Sequence, residues 1–563
     1  MVRISYPYRR FTRRTALKGT AFGGLGAGTF ALVGCGNDDD DDAAPTPTPS
    51  DDGEATPDPN GNGEGPRRGG ILRLASGPLQ ANLDVHKAVG TNLFHWTSNF
   101  LVRYNLDGSL EPDVAESMPE ITDDGSTLIF SLRPEVTWQD RPPVNGRSLT
   151  AEDVALTFER IKDPATGSPR AANYAVVESM DTPDEHTVVF NLSRPSAGLM
   201  AAMADQYDSI VPADYHGDPD AITRAEHVVG TGPYVLTEYE VGRGYKLERR
   251  ADGHWRPDTA WIDGVDFTDI GAEGLPVANA LRANQIDYGL IPAEEVPAFE
   301  GDGEYQMFMP ISNANDVVQM NHNRPPYDDP RVRKAVFLAL DRRRIYETVF
   351  GGLGSMGGPV TPASTFWALP EDELMTMPGF REDRDADIAE ARQLMEAAGL
   401  GDGHSDVIRT VTRAQVNEVN ELVVPMLAQI GFSLSVDDVG TDFAALIAFE
   451  SGRDYNIATS VKQSGIDPDL QLNLYHHTDG SRNYTDHSNP DLDRVMEEQS
   501  AEFDTERRLE LVHEIQRELI ENPGPAWTGS RGWAIAVRDY VRNFSAPNWP
   551  DEYHRAEEMW LDI

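Results

Sequence analysis

From Gly69 onward, apolar and polar residues alternate in short runs whose period changes along the chain. Ile71-Leu72-Arg73-Leu74-Ala75 has the two-residue period of a strand. Thr127–Leu132 and His186–Leu192 repeat it, each behind a turn-forming stretch: Asp123-Asp124-Gly125 and Thr182-Pro183-Asp184. Elsewhere the period is helical. Val154, Phe158 and Ile161 share one face behind Thr150-Ala151-Glu152-Asp153, where Thr150 can accept an amide and Asp153 can reach back to close a capping box. Asp329-Pro330 predicts a second helix start, with the stripe Val332, Ala335, Val336 and Ala339. Asp341 caps a third, running through Ile345 and Val349, and about Thr505–Glu521 carries Leu509, Val512, Ile515 and Leu519. Strands interleaved with helices predict an α/β protein.

Before Gly69 the pattern is different. Arg13 and Arg14 stand as a pair, with Arg3, Arg9 and Arg10 upstream, and the weakly apolar, Gly- and Ala-rich stretch Thr20–Gly34 follows. It is too short to cross a bilayer, which needs ~20 apolar residues. A basic start, a short apolar middle and a small-residue end predict an export signal over 1–34, of the twin-arginine type. Leu32-Val33-Gly34-Cys35 looks like a bacterial lipobox, so the single cysteine of the chain, Cys35, is expected to be lipidated and to become the mature N-terminus. Residues 35–68 are Asp, Pro, Thr, Gly and Glu with almost nothing apolar, and predict a disordered, extended tether.

Charge narrows the partners. The net charge is −45, which repels phosphate backbones and argues against nucleic acid. Basic residues are arginine except for six lysines: Lys18, Lys87, Lys162, Lys246, Lys334 and Lys462. A lysine-poor acidic surface suits a salty medium, and high-GC codon usage explains the arginine bias equally well. One cysteine cannot form an intrachain disulfide.

Several stretches, in order, resemble the family 5 solute-binding proteins of ABC importers, which include oligopeptide-, dipeptide- and nickel-binding proteins. They are Leu101–Gly108 with Glu111–Ser117, Phe130–Trp138, Leu149–Val154, Gly230-Thr231-Gly232-Pro233-Tyr234, Asn321–Arg344, Asp467-Pro468-Asp469 and Asn489–Asp493. The resemblance runs from about residue 70 to the end. It implies a two-lobed clamshell of the type II periplasmic-binding-protein class, with an extra domain inserted in the first lobe. Lobe I would comprise 70–103, 227–317 and 531–563, the extra domain 104–226, and lobe II 318–530. It further implies a monomer that is not an enzyme and carries no cofactor. The protein would be exported and held by its lipid at the outer face of the cell membrane or in the periplasm. It would pass a peptide-like, opine-like or oligosaccharide solute to permease subunits served by a separate ATPase.

Ligand-binding positions follow from where such proteins line their cleft. They are Asn92, Phe94, His95 and Trp96 after the first strand; Arg413 after the strand-like Val407–Val411; and Ser460, Lys462, Gln463 and Ser464 together with the Asp467 that follows them. Trp367 and Asn483 complete the set. One departure bears on specificity. Peptide-binding relatives commonly place an acidic residue three positions before the Asp-Pro-Asp segment, where it pairs with the ligand's α-ammonium. Here that position is Ser464, flanked by Lys462 and Gln463. A buried ammonium would lack its counter-charge, whereas Lys462 and Arg413 suit a carboxylate or another oxyanion.

Other chemistries find little support. His476-His477 and His487 lack the spacing of a closed metal site. Neither a Walker A loop nor a GxSxG elbow occurs. Acidic pairs are too common in this composition to signal acid–base catalysis. The competing readings are an exported enzyme, a hydrolase or cofactor protein, and a sensory receptor on the same fold.

Overall fold

The alternating stretch at residue 71 becomes the strand Ile71–Ser76, in the interior of a seven-stranded sheet. In a computed structural model, residues 65–563 are described except 88–91, 219, 364–365, 411–413, 441–447, 464 and 547–554. The expected signal, Cys35 and nearly all of the tether lie outside the described residues.

In spatial order the seven strands are Tyr305–Phe308, Ala534–Arg538, Tyr288–Ile291, Ile71–Ser76, Gly264–Asp269, Gly244–Arg249 and Tyr234–Glu240. Ile71–Ser76 runs parallel to both of its neighbours, and the other pairings are antiparallel. Leu72, Leu74, Trp96, Val265 and Phe267 join one core on this sheet.

A second sheet has six strands: Gly354–Ser355, Ala526–Gly532, Ile311–Met320, Ile457–Gln463, His404–Thr410 and Phe432–Asp438. Its core takes in Val332, Val336 and Phe337 of the helix Pro330–Ala339 and Val512, Ile515 and Leu519 of the helix Thr505–Glu521. The expected caps are in place. Asp329 accepts from Arg331 N at 2.9 Å, and Asp341 accepts from Arg344 N at 3.0 Å. The longer helix is capped by Asp504, which accepts from Arg507 N at 2.8 Å.

The chain between the first two strands of the seven-stranded sheet in sequence folds into a third unit. Four antiparallel strands, ordered Glu120–Thr122, Thr127–Ser131, Thr187–Leu192 and Val177–Asp184, carry the helix Ala151–Lys162. The capping box at its start is formed: Thr150 N donates to Asp153 Oδ2 at 2.9 Å. One turn differs from expectation. Thr182-Pro183-Asp184 belongs to the strand Val177–Asp184, and the turn is Glu185-His186. That strand is the outer one of its sheet, where proline's missing N–H is tolerated.

Two glycine contacts fix how these parts meet. At Gly230 and Gly232 a Cβ would lie 2.0 Å from Thr97 O and 2.5 Å from Thr97 C, so only glycine lets the segment lie flush on the C-terminal end of the helix Leu93–Thr97. At Gly198 a Cβ would lie 2.5 Å from Asp469 Oδ2, and one residue earlier Ala197 N donates to Ser500 O at 2.8 Å. The inserted unit therefore packs against the segment that follows the six-stranded sheet's strand Ile457–Gln463.

The chain passes between the two large sheets at two neighbouring places. Tyr305–Phe308 leads through Met309-Pro310 into Ile311–Met320, and Ala526–Gly532 leads through Trp533 into Ala534–Arg538. Trp533 N donates to Pro310 O at 3.0 Å and ties the crossings together. The sheet thus changes at 309–310 and at 533, a few residues from the divisions at 317/318 and 530/531 drawn from the resemblance.

Candidate functional site

Two recesses carry the chemistry of interest, one on each large sheet. The first lies where the strand Ile71–Ser76 ends. Ser76–Gln80, Asn92, Tyr239, Tyr245, Phe267 and Tyr288 line a groove enclosing about 850 Å³ of open space. Its wall is aromatic: Tyr245 stacks on Phe267 with centroids 4.2 Å apart, and Tyr239 lies 5.9 Å beyond Tyr245. Tyr239 Oη donates to Gln80 O at 2.7 Å and pins the loop to that wall. Flat apolar faces with a few fixed polar groups are what a small-molecule groove requires.

Of the residues expected near this loop, Asn92 lines the groove. Trp96 does not: it is fully buried, edge-on to Tyr234 at 5.3 Å, as a core residue. Phe94 is core as well, and faces a separate apolar cavity with Leu83, Val85, Ile210 and Val228. His95 is half-buried, 6.2 Å from Phe100. The five-residue helix Leu93–Thr97 explains the split, because it buries Leu93, Phe94, Trp96 and Thr97 and leaves only His95 part-exposed, with Asn92 ahead of its first turn.

The second recess opens on the strand Ile457–Gln463 and encloses about 400 Å³ of open space. Alternation puts Ala458, Ser460 and Lys462 on one face of the strand. Lys462 reaches into the pocket with its side chain 11% exposed. Its ammonium lies 5.1 Å from the centre of the Tyr475 ring and 4.8 Å from that of Tyr484. The nearest opposite charge is Glu450, whose Oε1 is 3.8 Å away. Glu450 is buried and accepts from Gln319 Nε2 and Ser460 Oγ. Arg482 sits at the rim, Nη1 donating to Tyr475 Oη at 3.2 Å. Burial pulls the Lys462 ammonium down to about 8; Glu450 opposes the shift and Arg482 adds to it.

The remaining expected positions have other work. Asp467 accepts from both Nη atoms of Arg508, each at 2.8 Å, and Trp367 stacks on that guanidinium at 4.9 Å. The three form a closed, internal ion pair. Asn483 is a buried turn-holder: Nδ2 donates to His487 O at 2.7 Å and Oδ1 accepts from His487 N at 3.0 Å. Ser460 supports Glu450. Arg413 and Ser464 lie outside the described residues, as does the side chain of Gln463. Glu450, Tyr475, Arg482, Tyr484 and Asn315 were missed by sequence reasoning. They come from four separate segments, and only the shared strand face of Ser460 and Lys462 could have pointed to this pocket.

His476 and His487 are buried and His322 half-buried nearby, with His476 5.7 Å from Trp527 and His322 5.3 Å from His487. Burial holds all three neutral, His322 at about 3, His487 at about 4 and His476 well below the usual range. Among the described residues no cluster of three or more His, Cys, Asp or Glu is placed to hold a metal ion. No helix among them is long and apolar enough to cross a membrane.

Comparison with known proteins adds to this geometry. The family described as bacterial extracellular solute-binding proteins, family 5 Middle, matches residues 109–484. The peptide transport periplasmic protein SapA of Salmonella typhimurium is 25% identical over 436 residues, covering 73% of this chain and 76% of SapA. The periplasmic oligopeptide-binding protein OppA of Haemophilus influenzae is 24% identical over 511 residues, covering 85% and 91%. Among solved structures, DppA of Helicobacter pylori, in complex with the peptide STSA, superposes with a TM-score of 0.70 at 20% identity over 88% of this chain and 99% of DppA. That likeness shows a shared two-lobed fold.

Proposed function

The chain belongs to family 5 of the bacterial extracellular solute-binding proteins, and from that membership we propose that it captures a peptide-class solute between its two sheets and delivers it to the permease of an ABC importer. It is a binding protein and not an enzyme, as the family is. The observation that carries the reading is the pair of crossings at Met309-Pro310 and Trp533, which lie side by side with Trp533 N donating to Pro310 O. Two sheets whose chain crossings are two neighbouring short segments can rotate about them, and a ligand that touches both favours the closed arrangement. In this scheme 70–308 with 534–563 act as one jaw, including the inserted unit, and 311–532 act as the other. The aromatic groove at Ser76–Gln80 and the pocket at Lys462 supply recesses on the two sides.

The mature protein is held at the membrane through lipid on Cys35 after twin-arginine export, works as a monomer, and relies on an ATPase carried by another subunit. Opine-like or oligosaccharide solutes are the alternatives to peptides. The test is thermal melting of the purified mature chain against panels of di- to nonapeptides, opines and oligosaccharides. A ligand at a hundredfold excess over its Kd stabilises the fold by about 2.7 kcal/mol, so a peptide panel that raises the midpoint supports the reading. A peptide panel without effect beside an active sugar or opine panel contradicts the solute class. Conversion of the ligand by the protein contradicts the binding role. Cys35→Ala is expected to move the protein from the membrane to the soluble fraction, and a variant that still sediments with membranes contradicts the anchor.

A further inference from the structure

Lys462 stands out among the buried cations of the second sheet's lobe because it lines an open recess and its ammonium makes no hydrogen bond among the described residues of the lobe. Glu450 at 3.8 Å is beyond hydrogen-bonding range. Glu450 does not depend on it, since Gln319 and Ser460 already donate to that carboxylate. The ammonium lies against two tyrosine rings in a recess with open space in front of it. Arg482 brings a second positive charge to the rim. With His476 neutral, the formal charge around the recess is positive in a chain whose net charge is −45.

We propose that this recess receives a carboxylate of the solute, held by Lys462 with Arg482 at the rim. The inference rests on the peptide-class reading and sharpens it: the solute is selected by an anionic end and not by its amine. A bound carboxylate would balance the pocket, two positive groups facing two negative ones, and give Lys462 the charge-assisted bonds it lacks. The groups facing Lys462 are Glu450, Arg482, Tyr475, Tyr484 and His476. Of these neighbours the tyrosines are pushed upward and His476 downward, which leaves Lys462 to titrate near pH 8. Affinity for a carboxylate is therefore level from about pH 5, where the ligand's carboxyl is fully ionised, up to that pH, and falls above it.

The experiment uses the mature chain and random tripeptide libraries in four forms: with or without Asp and Glu, and with a free or amidated C-terminus. Native mass spectrometry reads which members are held. Expected is retention of every form that carries a carboxylate, and weak retention of the neutral amidated form. Binding of amidated acidic peptides alone assigns the carboxylate to the side chain. Binding of neutral free-acid peptides assigns it to the C-terminus. Lys462→Met should weaken carboxylate peptides roughly 10- to 100-fold, while Lys462→Arg should stay within about tenfold and Glu450→Gln should strengthen them. Neutral amidated peptides held as tightly as free acids overturn the inference and leave the peptide reading standing, as does a Lys462→Met chain that binds carboxylate peptides unchanged. A chain that holds no peptide of any form overturns both.

Discussion

Arg342 and Lys462 are both buried cations of the same lobe, both set against two aromatic rings, and they are treated in opposite ways. The Arg342 guanidinium lies over Phe337 at 4.2 Å and Phe380 at 4.5 Å, and donates to the carbonyls of Trp527, Phe337, Leu340 and Gly379 at 2.6–3.3 Å. It stitches a helix end to a strand and a loop. Lys462 has the rings without the carbonyls. A cation held by four backbone carbonyls in a closed core, as Arg342 is through Nε and Nη1 with Nη2 left unpaired, is part of the scaffold. One left short of partners beside open space is available to something else. Asp467 with Arg508 falls on the scaffold side, despite standing where ligand contacts were expected.

The comparison can be pressed hardest through the cations the interior refuses. His322, His476 and His487 are held neutral by burial, whereas the unfolded chain protonates them near pH 6.5. Their folded values are depressed, so the stability they carry is complete above pH 6.5 and is lost as pH falls toward 3–4. Linkage gives about 3 kcal/mol by pH 4 for each of His322 and His487. The lobe is expected to unfold in acid, followed by circular dichroism. Replacing His487 with Gln should lower the midpoint pH, and an unchanged midpoint would count against burial as the cause.

Arg342→Met comes next. It strands four carbonyls in the core and should cost about 4 kcal/mol, read as a fall in the urea midpoint. Close behind is Arg508→Met, at about 3 kcal/mol, because it leaves Asp467 buried without its partner. Lys462→Met should be the mildest. Removing an ammonium depressed to about 8 relieves a desolvation penalty that offsets the lost 3.8 Å pair, so a change under about 1 kcal/mol is expected. A loss as large as that at Arg342 would erase the distinction.

Periodicity and capping made much of the scaffold legible. The strands at 71, 127 and 187 and the helices behind Thr150, Asp329 and Asp341 follow from short-range patterns that the finished fold does not alter. Pro183 defeated that logic, since whether proline ends a strand depends on whether the strand lies at a sheet edge, a long-range fact. The site was harder for the same reason. Trp96 and Phe94 are large and lie beside a groove residue, yet a single helical turn sends them into the core. Lys462 was found because of what replaces the usual acidic residue nearby. Its partners Glu450, Tyr475 and Tyr484 reach it only through the sheet and the loop beyond it, and no spacing in the chain announces them.

The claim that ties these observations together is that an under-satisfied buried cation marks where the solute is held. Its most direct test is native mass spectrometry of the freshly purified chain, followed by denaturation and identification of whatever is released. The account predicts a chemically intact solute bearing a free carboxylate, present in the wild type and depleted in Lys462→Met. Recovery of a solute without an anionic group, in equal amount from both proteins, would contradict it.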